Sequence, residues 1–127
     1  MFTFSFNHVA ISVKDVNKSV NFYQKVLKLK EIKNTASSSE TRWLSLGDEK
    51  QLHLIPRPHL EVTTNKAVHF ALATADINAI INHLKTLDIT YTDWLETPNK
   101  DYVRDDGIQQ FYLQDPDGYW VEINNDI

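Results

Sequence analysis

The sequence predicts an α+β fold of two repeated units, each running strand, helix, then about three strands. Two observations carry this. Short runs of period-two alternation flank two stretches with apolar residues at helical spacing. After a linker at 56–65 the same order of elements returns, so module one spans 6–55 and module two 66–125. Residue identity between the halves is slight; the repeat lies in the order of elements.

In the first half, Phe6 to Val13 reads as a strand, with Val9, Ile11 and Val13 on one face and Phe6, His8, Ala10 and Ser12 on the other. Asp15 is placed to cap a helix whose stripe is Val16, Val20, Tyr23 and Leu27. Lys18, Lys25 and Lys28 lie off that stripe, on its solvated side. Lys30 to Ala36 and Thr41 to Leu46 read as strands separated by the Ser37-Ser38-Ser39 loop. Gln51 to Ile55 is a short strand ended by Pro56-Arg57-Pro58.

In the second half, Ala67 to Ala73 sets Val68, Phe70 and Leu72 opposite His69 and Ala71. Asp76 precedes a helical stripe of Ile77, Ile80, Ile81, Leu84 and Leu87. Ile89 to Thr92 reads as the start of a strand, and Trp94 to Asp106 as a long polar loop. The chain closes on a hairpin. Phe111 and Leu113 alternate with Gln110, Tyr112 and Gln114. The turn is Asp115-Pro116-Asp117-Gly118, and Trp120, Glu122 and Asn124 then face away from Tyr119, Val121 and Ile123.

Composition narrows the function classes. A chain of 127 residues with 42% apolar residues and few Gly or Pro is globular and is sized for one domain. Its formal charge is -4 and it has no Lys/Arg run, which argues against nucleic acid or an anionic membrane as partner. There is no cysteine, so disulfides, thiolate ligands and a cysteine nucleophile are excluded. No apolar run reaches the roughly 20 residues of a membrane span. With no basic-then-apolar N-terminal segment, the expectation is a cytoplasmic protein.

His8, His53, His69 and Glu122 share a pattern: each sits in a predicted strand and points away from its large aliphatic side chains. If those aliphatic faces pack beneath the helices, the four would line the opposite, concave face, two from each half. Imidazole and carboxylate donors suit Zn, Fe, Ni, Co or Mn. A wet sheet face also carries His and Glu as ordinary polar residues, and alternation alone does not decide between the two. His59 and His83 read as surface residues.

Three stretches carry a family resemblance. Asn7-His8-Val9-Ala10-Ile11-Ser12-Val13, with Asp15 and then Phe22-Tyr23, resembles the opening of a vicinal oxygen chelate domain. This is the superfamily of glyoxalases, fosfomycin-resistance proteins and extradiol dioxygenases. Val68-His69-Phe70-Ala71 with Asp76-Ile77 resembles its second-half opening, and Phe111 to Glu122 resembles its closing hairpin. The resemblance implies two βαβββ modules forming a cupped mixed sheet around one divalent metal. It implies His8, His69 and Glu122 as shared ligands and places His53 in the fourth ligand position, where glyoxalase I usually has Glu. It also implies a homodimer.

The implied chemistry is Lewis-acid polarisation of a substrate with two adjacent oxygens, in a glyoxalase-like lyase or isomerase. Glu122, the only carboxylate of the four, would be the base. A fosfomycin-resistance-type thiol transfer needs three protein ligands and a cationic pocket, for which Arg42 and Arg104 are candidates. An extradiol dioxygenase would use the same two-His, one-carboxylate set with Fe(II). A non-catalytic ligand-binding protein of the same fold would use the aromatic residues Trp43, Trp94, Tyr102, Tyr112 and Trp120. Trp120 shares a strand face with Glu122, and the Tyr102 to Gly107 stretch offers a Tyr, an Arg and a Gly hinge for a gate.

Overall fold

The alternation along Val9, Ile11 and Val13 forms the first strand, β1 (His8–Val13). Asp15 then starts α1 (Val16–Val26): its side chain accepts the Lys18 N–H at 3.1 Å and its carbonyl the Ser19 N–H at 3.0 Å. Three strands follow, β2 (Glu31–Ile32), β3 (Arg42–Gly47) and β4 (Lys50–Pro56). They form one four-stranded sheet in the order β1-β4-β3-β2, with β1 parallel to β4 and the other pairs antiparallel. The computed structural model describes residues 1–127 and divides them into two units, of which this is the first, Met1–Val62.

The second unit, Thr63–Ile127, repeats the plan with β5 (His69–Ala73), α2 (Ile77–Thr86), β6 (Tyr102–Val103), β7 (Gln109–Gln114) and β8 (Trp120–Asn124). Its sheet order is β5-β8-β7-β6, again with the first and last strands parallel. The expected pair of βαβββ modules is therefore present, as two mixed four-stranded sheets.

Each unit has its own core on the aliphatic side of its sheet. In the first, α1 crosses β3 and β4, burying Val20 and Tyr23 together with Val13, Leu44, Leu52 and Leu54. In the second, Ile77, Ile81 and Leu84 of α2 are buried, as are Phe111, Leu113, Val121 and Ile123 of the sheet. Tyr91 is also buried, its ring edge-on to Phe111 at 5.2 Å.

Several boundaries differ from expectation, each for a local reason. Between 30 and 36 only Glu31 and Ile32 pair with β3, because the Asn34 side chain takes over the backbone beyond them. Its amide oxygen accepts from the N–H groups of Ala36 and Ser37, and its Nδ2 donates to the Thr41 carbonyl. No strand forms over Ile89–Thr92. Thr92 alone exchanges backbone bonds with Tyr112, both 2.8 Å. The Asp93 side chain then accepts the Thr97 N–H at 2.8 Å and turns the chain away. The strand pairing with β7 lies instead at Tyr102–Val103, inside the stretch read as loop. Asp76 sits at the α2 N-terminus without a side-chain capping bond.

The closing turn follows its chemistry. Gly118 has φ +90° and donates to the Asp115 carbonyl at 3.0 Å, while Asp115 Oδ1 accepts the N–H groups of Asp117 and Tyr119, each at 2.9 Å. This turn fixes the β7/β8 register, which sets Tyr112 opposite Glu122.

Candidate functional site

The two units place their polar residues by one rule. In the first, His8 opens β1 and its second neighbour Ala10 is paired with His53 of β4. In the second, His69 opens β5 and its second neighbour Ala71 is paired with Glu122 of β8. His53 thus holds the place in its module that Glu122 holds in the other. In both modules the pair lies on the face opposite the aliphatic core, as alternation required.

The pairs differ in geometry. In the second unit, His69 Nδ1 lies 2.8 Å from the Lys66 carbonyl oxygen. A carbonyl can only accept, so the proton is on Nδ1, and in the neutral ring the Nε2 lone pair is free. That Nε2 lies 3.4 Å from Glu122 Oε1. The carboxylate is itself held at both oxygens: Tyr112 OH donates to Oε1 at 2.8 Å and Asn124 Nδ2 to Oε2 at 2.7 Å. A lone pair facing a carboxylate oxygen calls for a proton or a cation between them. Two ligands bonded to one ion at about 2.0–2.1 Å stand roughly 3.0–3.4 Å apart, and ligating histidines typically donate their other N–H to a carbonyl or carboxylate. The pair fits two adjacent positions on a divalent metal.

In the first unit, His8 and His53 are stacked, ring centroids 4.0 Å apart at 14°, and Trp43 stacks on the other side of His53 at 4.1 Å and 3°. His8 Nδ1 is bonded to Asn7 Oδ1 at 2.6 Å and His53 Nε2 to Gln51 Oε1 at 2.8 Å. An imidazole lone pair lies in its ring plane. Near-parallel planes this far apart direct theirs along separate tracks, so in this conformation the two rings do not converge on one ion. Burial, then the neighbouring His8, hold the His53 pKa below the usual histidine value, disfavouring a charged ring in the stack. Neither unit by itself gathers three His, Cys, Asp or Glu side chains at metal-binding spacing.

The other candidates separate clearly. Tyr112 and Trp120 are buried on the Glu122 face, where Trp120 is the register partner of His69. Burial, and then the bond to Glu122, raise the Tyr112 phenol well above its usual range, so it stays a donor. Tyr102 lines a cavity of about 360 Å³ with Asp93, Trp94, Leu95, Lys100 and Gln110. Arg42 lies on the opposite, helix-covered face of its sheet, paired through two 2.7 Å bonds with Glu31 and one with Asn17. Arg104 is taken up by Asp106. Arg104 nonetheless lies near enough for its charge to act on Glu122 and Tyr112, whereas Arg42 is on the other face.

Sequence reasoning missed Lys66 and Asn124. Asn124 could have been found, being two residues from Glu122 on one strand. Lys66 gave no such signal. Its ammonium donates to Thr92 Oγ1 at 3.1 Å and to the carbonyls of Asp93 at 2.6 Å and Trp94 at 3.0 Å. It also stands over the rings of Trp120, Tyr112 and Trp94 at 4.5, 5.0 and 5.6 Å. Burial lowers its pKa, and the nearby Glu96 and Asp93 oppose that shift.

Comparison with known proteins gives a consistent picture. Residues 5–123 match the model of the Glyoxalase/Bleomycin resistance protein/Dioxygenase superfamily. "Uncharacterized protein YwbC" of Bacillus subtilis (strain 168) is 34% identical over 124 residues, 91% of this chain and 93% of that one. "Glyoxylase I 4" of Arabidopsis thaliana is 32% identical over 130 residues, 95% of this chain and 70% of that one. "Metallothiol transferase FosB" of Staphylococcus saprophyticus is 32% identical over 127 residues, 94% and 76% of the two chains.

Proposed function

The chain belongs to the Glyoxalase/Bleomycin resistance protein/Dioxygenase superfamily, and from that premise we propose a metal-dependent, glyoxalase-like lyase or isomerase acting on a small substrate with two adjacent oxygens. The observation that carries the proposal is the His69–Glu122 pair, with Nε2 and Oε1 facing each other at 3.4 Å and both side chains oriented from behind. His69 and Glu122 would hold the metal, and the family resemblance implies His8 as a further ligand. The metal, when bound, supplies Lewis-acid polarisation of the substrate's oxygen pair.

The chain's own residues do the rest. Glu122 is the only carboxylate among the candidates and is the group to take a proton from the carbon beside a carbonyl. Tyr112 and Asn124 hold its two oxygens in place, which fixes the direction of that transfer. Trp120 and Tyr112, buried beneath the Lys66 ammonium, form the apolar wall behind the Glu122 carboxylate. His53, stacked between Trp43 and His8, steadies the His8 ring.

A thiol transferase is the second reading, favoured by the relative of that name and by a set of three donors without His53. A phosphonate substrate needs a cationic pocket, and of the two arginines Arg42 lies on the helix-covered face paired with Glu31, leaving only Arg104, itself paired with Asp106. This keeps the isomerase reading first. The test is metal content of tag-free protein, followed by turnover of methylglyoxal–thiol adducts and of fosfomycin with thiols. The expected result is near one divalent ion per chain, lost in His69→Ala, with adduct isomerisation lowered about 100-fold or more in Glu122→Gln. Absence of binding after incubation with Zn, Ni, Mn, Co or anaerobic Fe(II) would sink the metalloenzyme reading.

A further inference from the structure

We infer that Lys66 is a positioning residue for the His69–Glu122 pair, holding His69 in the tautomer that leaves Nε2 free to face Glu122. Its carbonyl is the acceptor of the His69 Nδ1 proton at 2.8 Å. Its ammonium spends all three N–H bonds inside the chain, on Thr92 Oγ1, the Asp93 carbonyl and the Trp94 carbonyl. With its protons so committed, this lysine is a cross-link and not a cation offered to a substrate.

The cross-link ties both members of the pair. Thr92 is bonded to the Tyr112 backbone in both directions, and Tyr112 OH is the donor to Glu122 Oε1. The ammonium also rests on the rings of Tyr112 and Trp120, the cross-strand neighbours of Glu122 and His69. One residue therefore holds the His69 ring through its main chain and the surroundings of Glu122 through its side chain. Without the ammonium, Thr92 Oγ1 and the Trp94 carbonyl lose this donor, the Asp93 carbonyl keeps only the Glu96 N–H, and the 66 main chain loses its side-chain tie to 92–94. The imidazole proton can then move to Nε2 and be donated to Glu122 Oε1, only 3.4 Å away. That tautomer closes the face that the proposed metal would use.

The inference rests on the proposed function only for its consequence, because the tautomer is read without metal. The experiment records His69 imidazole nitrogen shifts by NMR in chelator-treated protein at about pH 8.5, where an ordinary histidine is neutral. Signals are assigned with His69→Ala. Wild type should show the proton on Nδ1. Lys66→Met should move a majority of the population to Nε2–H, and Lys66→Arg, which retains donors and charge, should restore most of the wild-type pattern. Zinc affinity should fall about 10- to 100-fold in Lys66→Met and recover in Lys66→Arg. Should Lys66→Met fail to fold, Thr92→Val removes one of the three bonds and should give a smaller shift in the same direction. An Nε2–H tautomer in wild type, or an unchanged pattern in the folded Lys66→Met or the Thr92→Val protein, overturns the inference. A tautomer shift in a protein that binds no zinc supports the positioning role while sinking the metalloenzyme reading.

Discussion

Arg42 and Leu44 lie two apart on β3, so they share a face, and that face carries α1. Arg42 meets Glu31 there through a two-bond, fork-shaped contact and reaches Asn17 of the helix. The bond from Arg42 holds the Glu31 carboxyl below its usual range of about 4.5. A lowered folded pKa contributes stability that is present above the unfolded value and is lost as pH falls through the folded one. Glu31→Gln should therefore cost on the order of 1 kcal/mol near pH 7, the pair being about one-third exposed. The gap to wild type should close as denaturant titrations are taken well below about pH 4.5. A gap unchanged by acid would show that the pair contributes by packing rather than charge. Arg42 also shows a signal within reach of sequence: alternation with Leu44 already set it on the aliphatic side.

Among the elements, both helices end alike. Leu27 and Leu87 close α1 and α2, and the next residues, Lys28 and Asp88, have φ near +55°. The following N–H then reaches back, Leu29 to the Tyr23 carbonyl at 3.1 Å and Ile89 to Leu84 at 3.0 Å. Glycine favours this conformation and lysine resists it. Lys28→Gly should accordingly raise stability by about 0.5–1 kcal/mol, read as a higher urea midpoint at unchanged slope. Stability lowered by that change would mean that the lysine stem packs usefully where it lies. The strands show where local pattern stopped informing. Period-two runs located β1, β4, β5, β7 and β8. The two-residue strands β2 and β6 are too short to carry a period, and side chains of Asn34 and Asp93 decide where pairing stops.

For the whole molecule, the family resemblance implies a homodimer, which we carry forward as a proposal. Phe2, Phe4 and Phe6 are exposed, the Phe2 and Phe4 ring centroids 6.3 Å apart, and exposed aromatic side chains cost free energy in water. Light scattering should give about twice the 14.7 kDa chain mass, and Phe4→Ser with Phe6→Ser should shift the population towards single chains. A wild-type mass of one chain would end that expectation. No helix is long and apolar enough to cross a membrane.

The sequence by itself determined the two-module order, the helix faces, the closing turn, and the face on which His8, His53, His69 and Glu122 stand. All of these follow from periods of two or 3.6 and from turn chemistry, which are properties of neighbouring residues. What the side chains do on that face was decided only by tertiary structure. His69 and Glu122 face each other across a strand register, whereas His8 and His53, in the equivalent places, stack beneath Trp43. Lys66 finds its partners 26 to 28 residues away. Such contacts depend on register and on the path of a loop, and no local period encodes either.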